Sequence, residues 1–126
     1  MFTPDKAFSG FSVDDSDAAR TFYRDTLGIE TADVGMGFFE LVFANGARVL
    51  VYDKPDHEPA TFTILNFEVD DVDAAVDDLN GRGVVTKIYD DGAIATDEKG
   101  IARGNGPDIA WFRDPAGNVL SVLKGE

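Results

Sequence analysis

Twenty-four acidic residues, eleven basic ones, a single histidine and no cysteine set narrow limits on the chemistry this chain can carry. Without cysteine there is no disulfide, no thiolate metal site and no cysteine nucleophile. The histidine, His57, stands in DKPDHEPA (53–60), where two prolines and four charges disfavour helix and central strand alike. It reads as a surface residue rather than a metal ligand. The glycine-rich run DGAIATDEKGIARGNGPD leads into a strand, whereas a phosphate cradle needs a helix after it. It reads as a long loop over residues 90–108 at a site entrance, and the sequence does not decide whether it closes over anything. The paired aspartates of FSVDDSDAA (11–19) and FEVDDVDAA (67–75) follow strand-like alternation and precede apolar helical stripes. That is the place of an N-cap, so they are read as helix caps and not as catalysts.

Those two nine-residue stretches differ at only two positions, so the chain carries one unit twice. In the first copy KAFSGFSV alternates as a strand, DDSDAARTFYRDTLG forms a helix with Ala18, Phe22 and Tyr23 inward, and 29–34 is a further strand. Phe38 to Phe43 and Ala47 to Tyr52 then make a hairpin about Asn45-Gly46. The second copy opens with a strand over 61–69 and a helix over 71–80, its Val72, Ala75, Val76 and Leu79 inward, stopping at Gly81-Arg82-Gly83. Strands are expected at 84–89, 109–113 and 119–123, the last two joined by the turn DPAGN. The fold class is α+β: one domain over 1–126, with module one about 6–52, a linker at 53–60 and module two about 61–124.

At 126 residues, 44% of them hydrophobic and fourteen aromatic, the chain resembles an ordinary globular protein that buries a single core. A formal charge of −13 repels nucleic-acid phosphates and anionic lipid, so neither nucleic acid nor membrane is an expected partner. MFTPDKAF lacks the pattern of a signal peptide and no window reaches membrane-span length, which makes a cytoplasmic protein the expectation.

The duplicated FxVDDxDAA units, TFYRDTLG, and FRDPAGNVLSVL near the second unit's end resemble the vicinal oxygen chelate superfamily of glyoxalase I, bleomycin-resistance proteins and extradiol dioxygenases. The resemblance runs from about Lys6 to Lys124. It implies two βαβββ modules curling into an open-barrel cleft, and a homodimer. Metal-using members carry a ligand on the first and last strand of each module, and the matching positions here are Phe8, Leu50, Ile64 and Ser121. Phenyl and aliphatic side chains cannot coordinate a divalent ion and a lone neutral Ser is feeble, so no metal and no cofactor is expected there. Glu40 and Glu68 remain a weak oxygen pair for Mg²⁺ or Ca²⁺.

If those positions face inward, alternation gives the cleft a lining of Phe8, Gly10, Ser12, Arg48, Leu50, Tyr52, Phe62, Ile64, Asn66, Glu68, Val119, Ser121 and Leu123, with Trp111 and Arg113. Phe11, Val13, Phe67, Val69, Leu120 and Val122 then face the helices. Aromatic stacking area with a few polar handles suits a small aromatic or cationic ligand, and the acidic charge draws cations. A metal-free binding protein is the leading expectation. One alternative is a lyase, isomerase or dioxygenase, with Glu68 as base and Arg48 or Arg113 as electrophile. The other is an acidic partner-binding module with a filled cleft.

Overall fold

The computed structural model describes residues 2–89, 94–104 and 106–125. The chain divides into two compact units, Met1–Pro59 and Ala60–Glu126. In the first, β1 (Ser9–Val13) leads to helix α1 (Ser16–Thr21), which runs on as a π-helical turn over Phe22–Thr26. Three strands follow: β2 (Glu30–Gly35), β3 (Phe38–Val42) and β4 (Arg48–Asp53). The sheet order is β1-β4-β3-β2, with β1 parallel to β4 and the other pairs antiparallel. The first strand thus pairs with the last, so the unit closes only when β4 is in place.

Alternation decides which face is covered. Phe11, Val13, Phe39, Leu41, Val49 and Val51 fall on one side and are buried, with Ala19 and Tyr23 of the helical segment buried among them. The Tyr23 ring lies 5.8 Å from that of Phe11. Each fully buried side chain of this size contributes about 1.5–3 kcal/mol. Asp15 caps α1, its Oδ1 accepting from the N–H groups of Asp17 and Ala18. Asp53, at the end of β4, accepts from the Ser16 N–H and hydroxyl and so ties the helix start to the sheet. The uninterrupted helix expected to Gly28 widens instead: Leu27 N–H donates to Phe22 O, five residues back.

The second unit repeats the plan with β5 (Thr63–Val69), α2 (Val72–Gly81), β6 (Ile101–Ala102), β7 (Ile109–Arg113) and β8 (Val119–Lys124). Its order is β5-β8-β7-β6, with β5 parallel to β8. Val72 and Val76 of α2 are buried, as are Ala110, Phe112, Leu120 and Val122 of the sheet, and Phe67 stacks on Phe112 at 6.4 Å. Asp71 Oδ1 accepts from Ala74 N–H as the α2 cap. In the DPAGN turn Asp114 accepts from the N–H groups of Ala116 and Asn118, and Gly117 has φ 88°. Both units are therefore βαβββ with unclosed four-stranded sheets, and no helix among the described residues is long and apolar enough to cross a membrane.

One expected strand is missing. Residues 84–89 join no ladder; Val84 N–H donates to Leu79 O at the end of α2, and side-chain bonds hold much of the rest. Asn80 Nδ2 donates to Val84 O and Thr86 Oγ1, Thr86 Oγ1 donates to Lys99 O, and Thr96 Oγ1 donates to Tyr89 O. The sheet edge is taken by β6, from the run expected to be loop, where Asp97 Oδ1 accepts from the Lys99 and Ile101 N–H groups to form a turn. The loop expected over 90–108 includes residues 90–93 and 105, which lie outside the described residues.

Gly100 completes that turn with φ +89°, and a Cβ there would sit 2.0 Å from the Thr86 carbonyl oxygen. Gly46 has the same φ, but a Cβ on it would meet nothing within 4 Å. Gly100→Ala should therefore lower the unfolding free energy by about 3 kcal/mol in urea titration, and Gly46→Ala by only about 1–2 kcal/mol.

Candidate functional site

On the first unit's sheet, the face opposite the helix carries Gly10, Ser12, Glu40, Arg48, Leu50 and Tyr52, with Gly10 in register with Leu50 and Ser12 with Tyr52. Ser12, Leu50 and Tyr52 are half-buried there. Phe38 packs edge-on to Tyr52 at 6.1 Å, and Arg48 pairs with Glu40 at 3.7 Å. Phe8 stands before the strand and is 63% exposed. His57, expected on the surface, is half-buried, and its Nδ1 lies 2.6 Å from Ser12 Oγ in a hydrogen bond. Lys54 N–H donates to Val13 O, and His57 N–H to Lys54 O, so the start of the linker folds back along β1 and brings the imidazole to Ser12.

On the second unit's sheet, Ile109, Trp111, Arg113, Val119, Ser121 and Leu123 share the face away from α2. Alternation along β5 is interrupted. Thr63 is in register with Val119 and Leu65 with Leu120, which leaves Ile64 as an extra, bulged residue without a Cα partner. The regular inward series Phe62, Ile64, Asn66, Glu68 is thereby broken: Thr63 takes the Trp111 side, and Trp111 Nε1 donates to Thr63 Oγ1 at 3.2 Å. Phe62 lies before the strand and is 70% exposed. Beyond the bulge Asn66 is in register with Ser121 and Glu68 with Leu123, and both Asn66 and Glu68 are exposed. Ser121 is fully buried, and its Oγ donates to Asn66 Oδ1 at 2.5 Å.

A cavity of about 280 Å³ opens beside Trp111, walled by Ile94, Ala95, Ala102, Arg103, Pro107 and Ile109. Tyr89 meets Trp111 edge-on at 5.1 Å, so the indole is held by a ring on one side and a hydrogen bond on another. Ile109 follows from alternation two residues before Trp111; the other wall residues come from 94–107, where the sequence has no periodicity to reveal them. Arg103 is the polar wall. Its guanidinium reaches Asp73 at 2.8 Å, Asp97 at 3.2 Å and Asp108 at 3.1 Å, tying α2, the turn and the approach to β7 together.

This cluster shifts its members. The bond from Arg103 holds the Asp73 carboxyl below the usual carboxylate range. Burial pushes Asp97 up, but the Ile101 and Lys99 N–H groups and then Arg103 together hold it below that range. Arg103 is raised, chiefly by its bond to Asp73. Lys99 joins the same cluster, 3.7 Å from Asp73 and 2.9 Å from Asp77, so the charge on Arg103 is balanced by carboxylates that stand behind the cavity wall.

The four positions that match the ligands of metal-using relatives carry side chains that do not suit a metal. Leu50 offers no donor and its register neighbour is Gly10; Ser121 offers a neutral hydroxyl already committed to Asn66. Phe8 and Ile64 add only carbon. Among the described residues no three His, Asp or Glu side chains are grouped to hold a metal ion.

A family model described as the Glyoxalase/Bleomycin resistance protein/Dioxygenase superfamily matches residues 8–122. No curated protein matches the chain in sequence. Among solved structures it is similar to TnmS3, an antibiotic binding protein from Streptomyces sp. CB03234, with 22% identity and a TM-score of 0.69 over 99% of this chain and 100% of that one. It is also similar to lactoylglutathione lyase from Agrobacterium tumefaciens, with 27% identity and a TM-score of 0.62 over 98% and 96%. A bleomycin-binding protein complexed with bleomycin has 20% identity and a TM-score of 0.68 over 97% and 99%.

Because Asp73 and Asp97 titrate lower folded than unfolded, their stabilising effect is complete above the unfolded carboxylate value, ~3.9, and is lost as pH falls through their lowered folded values. Arg103→Gln should lower the melting temperature at pH 7, and the gap from the unsubstituted chain should close as pH is taken to about 2 in calorimetric scans.

Proposed function

We propose, from the premise that this chain belongs to the Glyoxalase/Bleomycin resistance protein/Dioxygenase superfamily, that it binds a small aromatic or cationic compound and acts by holding it, without making or breaking bonds. The observation that carries this reading is the cavity beside Trp111: six of its seven lining residues are aliphatic, proline or tryptophan, it presents an indole, and its one basic residue is bonded to three aspartates. Aromatic surface with a few polar groups is the usual form of a small-molecule site, and a chain of net charge −13 favours a cation over an anion. TnmS3 and the bleomycin-binding protein, which share the fold, are named for binding antibiotics.

The lyase, isomerase and dioxygenase readings need an electrophile to polarise a carbonyl or to bind neighbouring oxygens. Leu50 and Ser121 do not supply metal donors, and exposed Glu68 lies outside the cavity lining. Holding is the simpler use of this geometry. The protein acts as a homodimer in this proposal, which sedimentation of the purified chain would check.

Trp111 is the only tryptophan, so its fluorescence reports on this cavity alone. Titration with a panel of planar cationic and neutral aromatic compounds should give saturable quenching by some members. Those members, at a hundredfold excess over Kd, should raise the unfolding free energy by about 2.7 kcal/mol. Trp111→Ala should weaken the same compounds at least tenfold by calorimetry. A panel that changes neither fluorescence nor melting temperature would remove the reading.

A further inference from the structure

Three side chains form a row across the open face of the second unit's sheet. Trp111 on β7 is in register with Ser121 on β8, and Ser121 is in register with Asn66 on β5. Ser121 is fully buried and donates its hydroxyl proton to Asn66 Oδ1, so in this structure the oxygen end of the amide faces the sheet. The Oδ1 acceptor is taken up by the floor. The Nδ2 group, with two donors, is turned outward on an exposed residue. Trp111 has committed its own N–H to Thr63 and so offers ring surface rather than a donor. Two strand spacings, roughly 10 Å, separate indole from amide.

We infer that Asn66 is a specificity-determining residue: it reads a hydrogen-bond acceptor on an aromatic ligand whose ring lies against Trp111, and Ser121 is the positioning residue that fixes the direction of the amide. The acceptor is an uncharged oxygen, such as a ketone, amide or ester carbonyl. A chain of net charge −13, in which the Arg103 guanidinium beside Trp111 is already bonded to three aspartates, disfavours a carboxylate or phosphate. The ligand class is therefore an aromatic carbonyl compound, neutral or cationic. Its ring occupies the Trp111 cavity, and its oxygen extends over Ser121 toward β5. The inference rests on the small-molecule reading above and adds to it the polar group that the ligand must carry. A ring lying over the amide excludes water from it, and an analogue without the oxygen then leaves the amide donors unpaired, which is the source of the discrimination.

The test is a matched pair of planar probes, fluorenone and fluorene, titrated against the full chain with Trp111 fluorescence as readout. Fluorenone should bind at least fivefold tighter than fluorene. The ratio of the two affinities should fall to about one in Asn66→Leu and in Asn66→Asp, which lack the outward donors. In Ser121→Ala, whose amide is free to turn over, the ratio should fall at least twofold. Equal affinities in the unsubstituted chain, or a preference for fluorenone that survives Asn66→Leu, would overturn the role of Asn66 and leave small-molecule binding standing. Binding of neither probe would overturn this inference and count against the reading it rests on.

Discussion

A four-stranded sheet has two faces, and each unit of this chain brings one helical segment to cover them. In the first unit α1 and the π-helical turn cover Phe11, Val13, Phe39, Leu41, Val49 and Val51; in the second α2 covers Ala110, Phe112, Leu120 and Val122. These sides are packed with aliphatic and aromatic carbon and have almost no contact with solvent. The other sides cannot be built in that way without leaving a large apolar patch in water. They carry a glycine, short polar side chains, an ion pair and aromatic rings that contact one another. Parity along each strand therefore separates residues that hold the unit together from residues free to recognise something else.

The two units have used that second face differently. In the first, the central register pair is Gly10 and Leu50; in the second, the same place in the repeat holds Asn66 and Ser121, joined by a short hydrogen bond. Neither pair presents the imidazole and carboxylate that a transition metal requires. What remains is a glycine and an aliphatic side chain in one unit, and in the other an amide and a hydroxyl bonded to each other, two strands away from the indole of Trp111.

Much of this architecture is written locally. The paired aspartates sit where the caps are, Asn45-Gly46 and DPAGN make the turns their chemistry demands, and alternation assigns Phe11, Val13, Leu120 and Val122 to the covered faces. Apart from the π-helical turn after α1, the departures come from contacts made at a distance. Residues 84–89 have strand-like composition, but Thr86 and Tyr89 are bonded by Lys99 and Thr96 from across the turn, and the edge goes to the shorter Ile101–Ala102. The bulge at Ile64 is visible only once β5 is aligned with β8, and it moves Thr63 to the side that the sequence pattern gives to Phe62 and Ile64. His57 looks like a solvent residue between prolines until the linker folds back on β1. Arg103 and the cavity wall lie in a stretch without periodicity, where the meeting of three aspartates from separate segments leaves no local trace.

The parallel pairing of β5 with β8 also governs the order of events as the chain is made. Partners such as Thr63 and Val119 are separated by more than fifty residues, and β8 is synthesised after everything it holds in place. Until it emerges, β5 has no neighbour in its sheet, and the apolar stripe of α2 lacks most of the surface it will cover. Closing a loop of that length is entropically costly, and the nascent unit waits with Phe67 and Val76 unsheltered. The second unit's sheet therefore depends on its last strand, because β5 has no other partner in it.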